Sequence, residues 1–351
     1  MTFEEFARLP VSWLDASGDQ SAIVVSSRVR LARNLVDFPF PHRATERHRQ
    51  LLVQAVLAAS AQHKQTQQLA FFGADALSLL QQQVLVERQV MSPAMVKRNG
   101  ARGVLVGQAG RFSVMLNEED HLRFQAIFSG LQPQNAWQSI SELQQIFAQF
   151  LHFAFHDAWG YLTACPSNTG TGLRASVLIH LPGLVLTQEM DAVVRGITQM
   201  GFAVRGFFGE GTDALGNMFQ VSNQITLGRS EQALLEMLNQ AVAQLVACEE
   251  NAREALLSSV RSKIEDKVWR AWGILQHARL LTSQEFMNLA SAVRLGVSLK
   301  MIQQVSLHTL NELMIETQPS HLQFLMGRQL EAAERDFFRA DWVRRKLVPS
   351  E

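Results

Sequence analysis

The residues best suited to chemistry lie in one stretch, 165–177, which reads CPSNTGTGLRASV. Cys165 supplies a thiol, and Arg174 supplies a planar set of donors that suits a phosphate group. Between them, Gly170 and Gly172 allow positive φ angles and let the backbone approach a ligand closely. A thiol, backbone amides and an arginine within ten residues predict a site for a phosphate-bearing ligand.

A second basic segment, SSRVRLARN, spans residues 26–34. In a strand, Arg28 and Arg30 would share one face, while Val29 and Leu31 would share the other. Two neighbouring guanidinium groups repel each other, so the pair suits an anionic partner. A solvated edge strand explains the pattern equally well, and the segment alone does not decide between the two interpretations.

An acidic run follows a predicted hairpin strand at 112–116, in the segment NEEDHLR that ends at Arg123. Glu118, Glu119 and Asp120 would repel one another unless a cation lies close by. A guanidinium or a metal ion would serve, and an exposed acidic turn is the commoner alternative.

A fourth segment, RGFFGE at 205–210, is typical of a strand that enters a glycine-rich loop. Together the four segments provide at least five arginines and several carboxylates, as a site that neutralises a polyphosphate requires. The chain has no GxxxxGK[ST], HExxH or CxxC pattern, so arginines would have to replace the lysine of a P-loop.

The elements that position these segments fall into two parts. Strands and helices alternate from about residue 23 to 228, whereas helical patterns dominate from 230 to 347, so we expect a boundary near 240 and two domains, 1–240 and 241–351. Periodicity predicts helices at 44–69, 76–91, 138–158, 188–199, 253–280, 282–293, 298–316 and 320–346, and strands at 23–25, 104–106, 112–116, 176–181, 202–205 and 218–227.

Composition limits the partners and the compartment. Lys+Arg and Asp+Glu are both 32, which argues against a surface that coats nucleic acid. Two cysteines, Cys165 and Cys248, indicate a reducing cytoplasm, not a disulfide-built secreted protein. The acidic start MTFEEFARLP is unlike a signal peptide, and no apolar run reaches the ~18 residues of a membrane span, so we expect no membrane association.

In their order and spacing, SSRVRLARN, NEEDHLR, CPSNTGTGLRASV and RGFFGE resemble the signatures of the phosphagen (guanidino) kinases over roughly residues 20–230. Within that family the resemblance is greatest to the bacterial protein-arginine kinases, the McsB branch. Only 25 residues precede Ser26, where the small-molecule kinases carry a helical domain. Residues 335–340 read RDFFRA, which is similar to the RDxxRA motif of that branch's phosphoarginine pocket.

The resemblance implies an α+β fold, mainly an antiparallel sheet flanked by helices, followed by an all-α C-terminal domain. It implies transfer of the ATP γ-phosphoryl group to arginine side chains of proteins. Glu119 would hold the guanidinium and act as base, Glu210 would orient it, and Cys165 would contact it. Nucleotide contacts would come from Ser26, Ser27, Arg28, Val29, Arg30, Arg123, Arg174, Ala175, Ser176, Val177, Leu178, Arg205, Gly206, Phe207, Phe208, Gly209 and Glu210.

The same resemblance implies that Mg²⁺ is held through the nucleotide phosphates, with no metal-ligand set of the protein's own. It also implies a homodimer, a small zinc-binding activator protein and a Clp-type protease as partners, and a role in stress. An allosteric phosphoarginine site would comprise Arg335, Asp336, Arg339 and Ala340. On periodicity alone, however, this last helix would bury Phe337, Phe338 and Trp342 and leave its arginines in solvent.

Two other functions stay open. The protein could phosphorylate free arginine or another small guanidine, although its short N-terminus argues against this. It could also be a phosphoarginine-binding adaptor with a weak kinase site, since residues 84–93 lack the histidine that contacts adenine in the animal enzymes and residues 222–228 lack a basic residue.

Overall fold

The computed structural model of the chain describes residues 1–207 and 214–347. Its strands are β1 (Val24–Arg33), β2 (Ala70–Gly73), β3 (Gly103–Gly107), β4 (Phe112–Leu116), β5 (Leu122–Ser129), β6 (Phe155–His156), β7 (Gly160–Tyr161), β8 (Leu173–His180), β9 (Phe202–Gly206) and β10 (Met218–Asn223). Its helices are α1 (Phe3–Arg8), α2 (Glu46–Ser60), α3 (Leu79–Glu87), α4 (Pro93–Val96), α5 (Pro133–Ala148), α6 (Pro182–Leu186), α7 (Met190–Gln199), α8 (Glu231–His277), α9 (Ser283–Ser298), α10 (Leu307–Glu316), α11 (Pro319–Met326) and α12 (Ala332–Leu347).

Eight strands form one sheet in the order β2-β3-β4-β5-β1-β8-β10-β9, and every neighbouring pair is antiparallel. The expected α+β fold with an antiparallel sheet is therefore confirmed. A separate hairpin pairs β6 with β7. Because β1 lies inside the sheet, between β5 and β8, the edge-strand interpretation of its basic segment is wrong.

One face of the sheet carries the main core. Alternate residues of the strands, such as Val29, Phe124 and Val177, are completely buried there. They share a hydrophobic cluster with Ile140 of α5 and Leu238 of α8. The period of two in the strands therefore sends the intervening polar side chains to the opposite face.

The C-terminal helices cover one end of that opposite face. Ile127, Leu178 and Met218 of the sheet belong to a second core, together with Trp13 and Phe286 of α9. The arginine-bearing end of the same face has no such apolar cover among these core residues. The helical C-terminal region therefore packs directly beside the arginine cluster.

Helix α8 runs from Glu231 to His277 and joins the two parts of the chain. The Ser230 hydroxyl caps its first turn by accepting a hydrogen bond from the Ala233 amide, and the backbone departs from helical angles at Val260. The expected boundary at 240 lies within this helix and stays a prediction.

Several predicted helices end earlier than their periodicity indicated, and two of them differ by about ten residues. The helix at 138–158 ends at Ala148, and the following residues form β6, a bridge between Phe153 and Leu35, and part of a hairpin. The helix at 44–69 ends at Ser60, because Thr66 turns back and its hydroxyl donates to the Ser60 carbonyl at 2.7 Å.

In the part of the chain that the structure describes, no helix is both long and apolar enough to cross a membrane.

Candidate active site

Arginines from neighbouring strands meet on the face of the sheet opposite the main core. Arg30 on β1 lies directly opposite Arg174 on β8. Arg123 on β5 lies opposite Ala32, which is two residues after Arg30 and on the same face of β1. Arg28 is two residues before Arg30 and also on this face. Arg205 on β9, at the edge of the sheet, lies opposite Gln220. Strand pairing thus brings together residues that are far apart in sequence.

Among the described residues, three of these arginines have a buried Nε group without a hydrogen-bond partner: Arg28, Arg30 and Arg174. The pKa of Arg28 is lowered to about 10, mainly by burial and also by the charges of Arg123 and Arg174. Burial and the other arginines also hold the pKa of Arg30 well below its ordinary value. An unpaired, partly desolvated cluster of cations is stabilised when an anion binds, so this face is suited to a polyphosphate.

The remaining contacts of the cluster fix its geometry. Arg28 donates to the Gln89 side chain at 3.0 Å, and Arg174 donates to the Ser222 hydroxyl at 3.2 Å. The Arg30 side chain has no hydrogen bond or ion pair within residues 1–207 and 214–347. Its guanidinium is therefore not engaged by a described protein group and could bind a ligand.

Several residues expected to contact nucleotide have side chains on the core face of the sheet. The side chains of Ser27, Val29, Ala175 and Val177 are buried there. Because β1 and β8 each pair on both sides, their backbone groups in these positions are engaged in the sheet ladder. These residues support the arginine face from behind, and their contact with nucleotide stays a prediction.

Other predicted contacts, in contrast, line a narrow cavity of about 10 Å³ on the arginine face. They are Ser26, Arg28, Ser176, Leu178 and Phe207. That space suits a single water, so a nucleoside base does not fit there in this conformation. Gly206 ends β9 immediately before it, and the predicted contacts Phe208, Gly209 and Glu210 lie outside the described residues.

The acidic run is separated into three different environments. Glu118 is buried, and its carboxylate accepts from Arg123 at 2.8 Å and from the Ser92 hydroxyl at 2.7 Å. Burial alone would raise the pKa of Glu118, but Arg123 and the surrounding donors hold it below its ordinary value. Asp120 is buried against Asn34, and burial raises its pKa. The cation at this run is therefore a guanidinium.

Glu119 is the partly exposed carboxylate of the three. It lines a cleft of about 570 Å³, together with Pro41, His42, Arg49, Arg98 and Ala164. The one side chain that reaches its carboxylate among the described residues is Asn168, at 3.5 Å. Burial lowers the pKa of Arg174 and the charge of Glu119 partly offsets this shift, so the carboxylate lies within electrostatic reach of the arginine cluster.

The Cys165 loop lies against this cleft. Cys165 precedes a 3₁₀ turn, Pro166–Asn168, and its thiol is free and 3.0 Å from the Ser167 hydroxyl. The amide of Ala164 donates to Asp120 at 2.6 Å, which ties the loop to the acidic run. Gly170 adopts φ +111°, and a Cβ there would meet the backbone of Thr226, so glycine is required. The loop that carries Cys165 therefore reaches the Glu119 cleft through Ala164 and Asn168.

The stability of the protein should fall as the pH drops from 6.5 toward 4 because of His121, which follows the acidic run. Its Nδ1 accepts from the Leu35 amide at 3.0 Å, and its Nε2 lies 2.9 Å from the Pro39 carbonyl, so the ring is neutral. Burial lowers its pKa from 6.5 to about 4. Between these two pH values the unfolded chain binds more protons than the folded protein, so the free energy of unfolding rises with pH. It should be lower by ~3 kcal/mol at the acid end.

Urea unfolding at pH 7 and pH 4 should therefore show a steeper loss of stability in the native chain than in His121→Gln. Burial also depresses the pKa of His180, but this residue is present in both proteins and cancels in the comparison. Equal losses in the two proteins would mean that His121 is not the titrating group.

The second predicted site lies on α12, and its arginines are not in solvent. Arg339 is 1% exposed, and it donates to the Thr317 carbonyl at 3.0 Å and to the Leu281 carbonyl at 2.7 Å. It also pairs with Asp336 at 2.6 Å, whereas Phe337 is 47% exposed. The periodicity-based expectation for this helix is wrong, because polar groups satisfy the buried guanidinium. Arg335 is half-buried, donates to the Leu330 carbonyl and lies one turn away, while Ala340 is buried.

Some functional side chains could not be found from the motifs. Gln89 holds Arg28, and its carbonyl accepts from Gln125 of β5 at 2.6 Å. Ser222 holds Arg174, and Glu118 holds Arg123. Gln89 has a positive φ of 64°, a signal visible only in the structure. Strand β5 itself was missed, although its alternating LRFQAIFS pattern is typical of a strand with one buried face.

No group of three or more His, Cys, Asp or Glu side chains that could hold a metal ion occurs among residues 1–207 and 214–347.

The comparisons with known proteins agree with this geometry. The family model described as ATP:guanido phosphotransferase, C-terminal catalytic domain, matches residues 50–252, and the model described as protein-arginine kinase McsB C-terminal domain matches residues 261–351. The chain is 42% identical over 339 residues to the protein-arginine kinase of Pelotomaculum thermopropionicum, covering 96% of this chain and 95% of that protein.

The chain is also 43% identical over 347 residues to the protein-arginine kinase of Symbiobacterium thermophilum, with 98% of each protein covered. Among solved structures, lombricine kinase shares the fold with a TM-score of 0.60 and 23% identity, over 71% of this chain and 75% of that chain. By the family models and the near full-length identity, the chain belongs to the protein-arginine kinases, a group with the catalytic domain of the ATP:guanido phosphotransferases.

Proposed function

We propose that the protein transfers the γ-phosphoryl group of ATP to a guanidinium nitrogen of arginine side chains in proteins. The observation that carries this proposal is the nearness of two features within the described residues: arginines whose buried Nε groups have no hydrogen-bond partner, and Glu119, which forms no ion pair there and acts on the charge of Arg174. The first feature suits the phosphates, and the second suits an incoming guanidinium.

The chemistry requires a carboxylate at this position. Arginine is protonated at neutral pH, with a pKa above about 12, so its nitrogen cannot attack phosphorus until a proton leaves. Glu119 would bind the substrate cation and accept that proton as the P–N bond forms and the bond from phosphorus to the ADP oxygen breaks. Cys165, on the loop that borders this cleft through Ala164, would contact the guanidinium and help to position it.

On the nucleotide side, Arg28, Arg30, Arg123 and Arg174 would bind the phosphates and stabilise the charge of the transferring group. Mg²⁺ carried by the nucleotide would neutralise part of that charge, with few direct protein ligands. Arg205, exposed at the sheet edge, stays a predicted contact, as does Glu210 as a second carboxylate. The adenine contact stays unassigned.

The test is incubation with ATP, Mg²⁺ and an arginine-rich protein, followed by measurement of acid-labile phosphate. Free arginine is supplied in a parallel reaction. The proposal expects labelled protein and little turnover of the free amino acid. Full activity on free arginine with no labelled protein would instead assign a small-guanidine kinase, and nucleotide binding without any turnover would assign an adaptor.

We also propose that the α12 site binds phosphoarginine and regulates the kinase. The half-buried Arg335 makes one hydrogen bond and could donate to a phosphate, whereas Arg339, one turn away, would support the site from its buried position. Asp336 could pair with a guanidinium. The route to the active site is short. The amides of Ser320 and His321 donate to Glu87 at 2.8 and 2.7 Å, two residues before the Gln89 that holds Arg28. A shift of α11 would therefore act on the nucleotide face.

Replacing Arg339 by alanine should destabilise the protein by ~2–3 kcal/mol, because two buried carbonyls and Asp336 lose their donor. Replacing Arg335, which is half-buried and makes one hydrogen bond, should cost ~1 kcal/mol or less. Urea unfolding measures both. A loss below 1 kcal/mol for Arg339→Ala would contradict its structural role.

Arg335→Ala is the suitable variant for testing regulation, because Arg339→Ala should also destabilise the fold. The Arg335→Ala protein should still phosphorylate protein substrate but lose any response to added phosphoarginine. An unchanged response would remove α12 from the proposal. A homodimer, a zinc-binding activator, a Clp-type protease and a cytoplasmic location stay predictions.

A further inference from the structure

The cleft beside Glu119 has basic walls that the proposed chemistry does not use. Arg49 and Arg98 line it, and they also line an adjoining cavity of about 240 Å³ with Asn99 and Asn117. The two cavities share these arginines and Pro41, so they form one continuous groove that leads away from Glu119.

The walls come from two separate segments that are both basic. Residues 42–49 read HRATERHR, and residues 97–98 read KR. Asn117 joins them, because its side-chain amide donates to the carbonyl of Arg49 at 3.1 Å and to that of Ala101 at 2.8 Å. Since Asn117 is two residues before Glu119, the basic walls are fixed relative to the predicted base.

The guanidinium groups of the groove are only partly engaged. Arg49 donates to the Asn99 carbonyl at 3.4 Å, and its nearest carboxylate, Glu46, is 3.8 Å away. Arg98 donates to the backbone carbonyl of Glu118, whose carboxylate is already bound to Arg123. An arginine has five N–H donors, so within residues 1–207 and 214–347 most donors of both side chains have no protein partner.

These charges affect any substrate that approaches Glu119. A target arginine is itself a cation, so Arg49 and Arg98 repel it, whereas carboxylates beside it in the substrate would be attracted. Neighbouring residues of an extended chain are ~3.5 Å apart, so flanking residues fall within the groove when the target reaches Glu119. A groove of this volume accommodates several side chains.

We propose that this groove selects target arginines that have acidic residues close to them in the substrate protein, with Arg49 and Arg98 as the specificity-determining residues. The inference rests on the proposed function and adds the substrate class. Partly exposed charges of this kind act mainly on substrate binding, so the preference should appear in KM and weaken as salt is raised.

The test compares two disordered polypeptides of equal length, each with a single arginine, flanked on both sides by Asp in one and by Asn in the other. The native protein should show a kcat/KM about tenfold higher for the Asp-flanked chain, through KM. Arg49→Glu should remove or reverse that ratio, and Arg49→Gln should reduce it. Arg47→Glu is the matched control. Arg47 is exposed on the same helix, rotated by about 200° around the helix axis from Arg49, and it does not line the groove. The ratio of kcat/KM values for the two polypeptides should therefore stay the same in this variant.

Equal kcat/KM for the two polypeptides, unchanged by Arg49→Glu, would overturn the inference and leave the proposed function intact, because both chains would still be phosphorylated. If Arg49→Glu raises the KM for ATP equally with both substrates, Arg49 contacts the nucleotide. This result would also overturn the inference. Phosphorylation of neither chain and of no protein would overturn the proposed function, and the inference with it.

Discussion

Replacing Glu119 by alanine should lower kcat on a protein substrate by about three orders of magnitude or more, because one change removes both the base and the group that orients the guanidinium. Within residues 1–207 and 214–347, Asn168 is the one side chain that reaches the Glu119 carboxylate, at 3.5 Å, so little stability depends on this carboxylate. Its neighbours Glu118 and Asp120 hold Arg123 and Asn34, while Glu119 itself faces the cleft. Unfolding by urea should therefore change little.

The matched control is Glu142→Ala, which removes a carboxylate from α5 outside the cleft and should leave kcat within twofold. The measurement is initial phosphorylation rate at saturating ATP. A loss of tenfold or less for Glu119→Ala would mean that another residue is the base, and the described carboxylates near the cleft would then need a different assignment.

Replacing Arg30 by methionine should have opposite effects on activity and stability. The side chain has no hydrogen bond or ion pair within the described ranges, and burial together with Arg28 lowers its pKa. Removing a poorly compensated cation should raise the free energy of unfolding of the ligand-free protein by ~1 kcal/mol, a value reduced for the partial exposure of the side chain. Activity should fall about a thousandfold, because a phosphate-binding arginine is lost.

Arg33, three residues along the same strand, provides the contrast. It lies on the core side, 2% exposed, and donates to the Gln144 side chain and to the carbonyls of Ala32 and Thr171. Arg33→Met should therefore destabilise by ~3 kcal/mol. Denaturant unfolding without nucleotide measures both variants. A destabilised Arg30→Met protein would show that Arg30 supports the fold and would weaken the case for a phosphate face.

How far the sequence could predict this site is clearest in β1. Alternation alone placed Arg28 and Arg30 on one face, and the structure has them there. It could not show that Arg123 and Arg174 join them, because this depends on pairing between strands that are far apart in the sequence. The family resemblance supplied the grouping, while the side-chain partners Gln89 and Ser222 came only from the structure.

The last helix shows why a helical pattern can mislead. Its aromatic residues suggested a core face, yet Arg339 is buried and Phe337 is exposed. The reason is local: the carbonyl of Thr317, the C-terminal cap of α10, has no helical partner and accepts from Arg339. A cation at a helix C-terminus is favourable, and no periodicity in α12 itself can reveal the carbonyl of another helix.

The acidic run was ambiguous for a similar reason. Three adjacent carboxylates required a cation or an exposed turn, and the sequence left guanidinium, metal and solvent open. The structure gives each carboxylate a different surrounding, and only the pairing of β4 with β5 brings Arg123 back to Glu118. The separation of Glu119 from its two neighbours is a tertiary result.

The most direct test of the account is mass spectrometry of a protein substrate after incubation with ATP and Mg²⁺, under conditions that preserve P–N bonds, for the native chain, Glu119→Ala and Arg30→Met in parallel. The account predicts phosphate on arginine side chains with the native chain and its near absence with both variants. Phosphate found on serine, threonine or tyrosine instead, or phosphoarginine formed undiminished by Glu119→Ala, would contradict it.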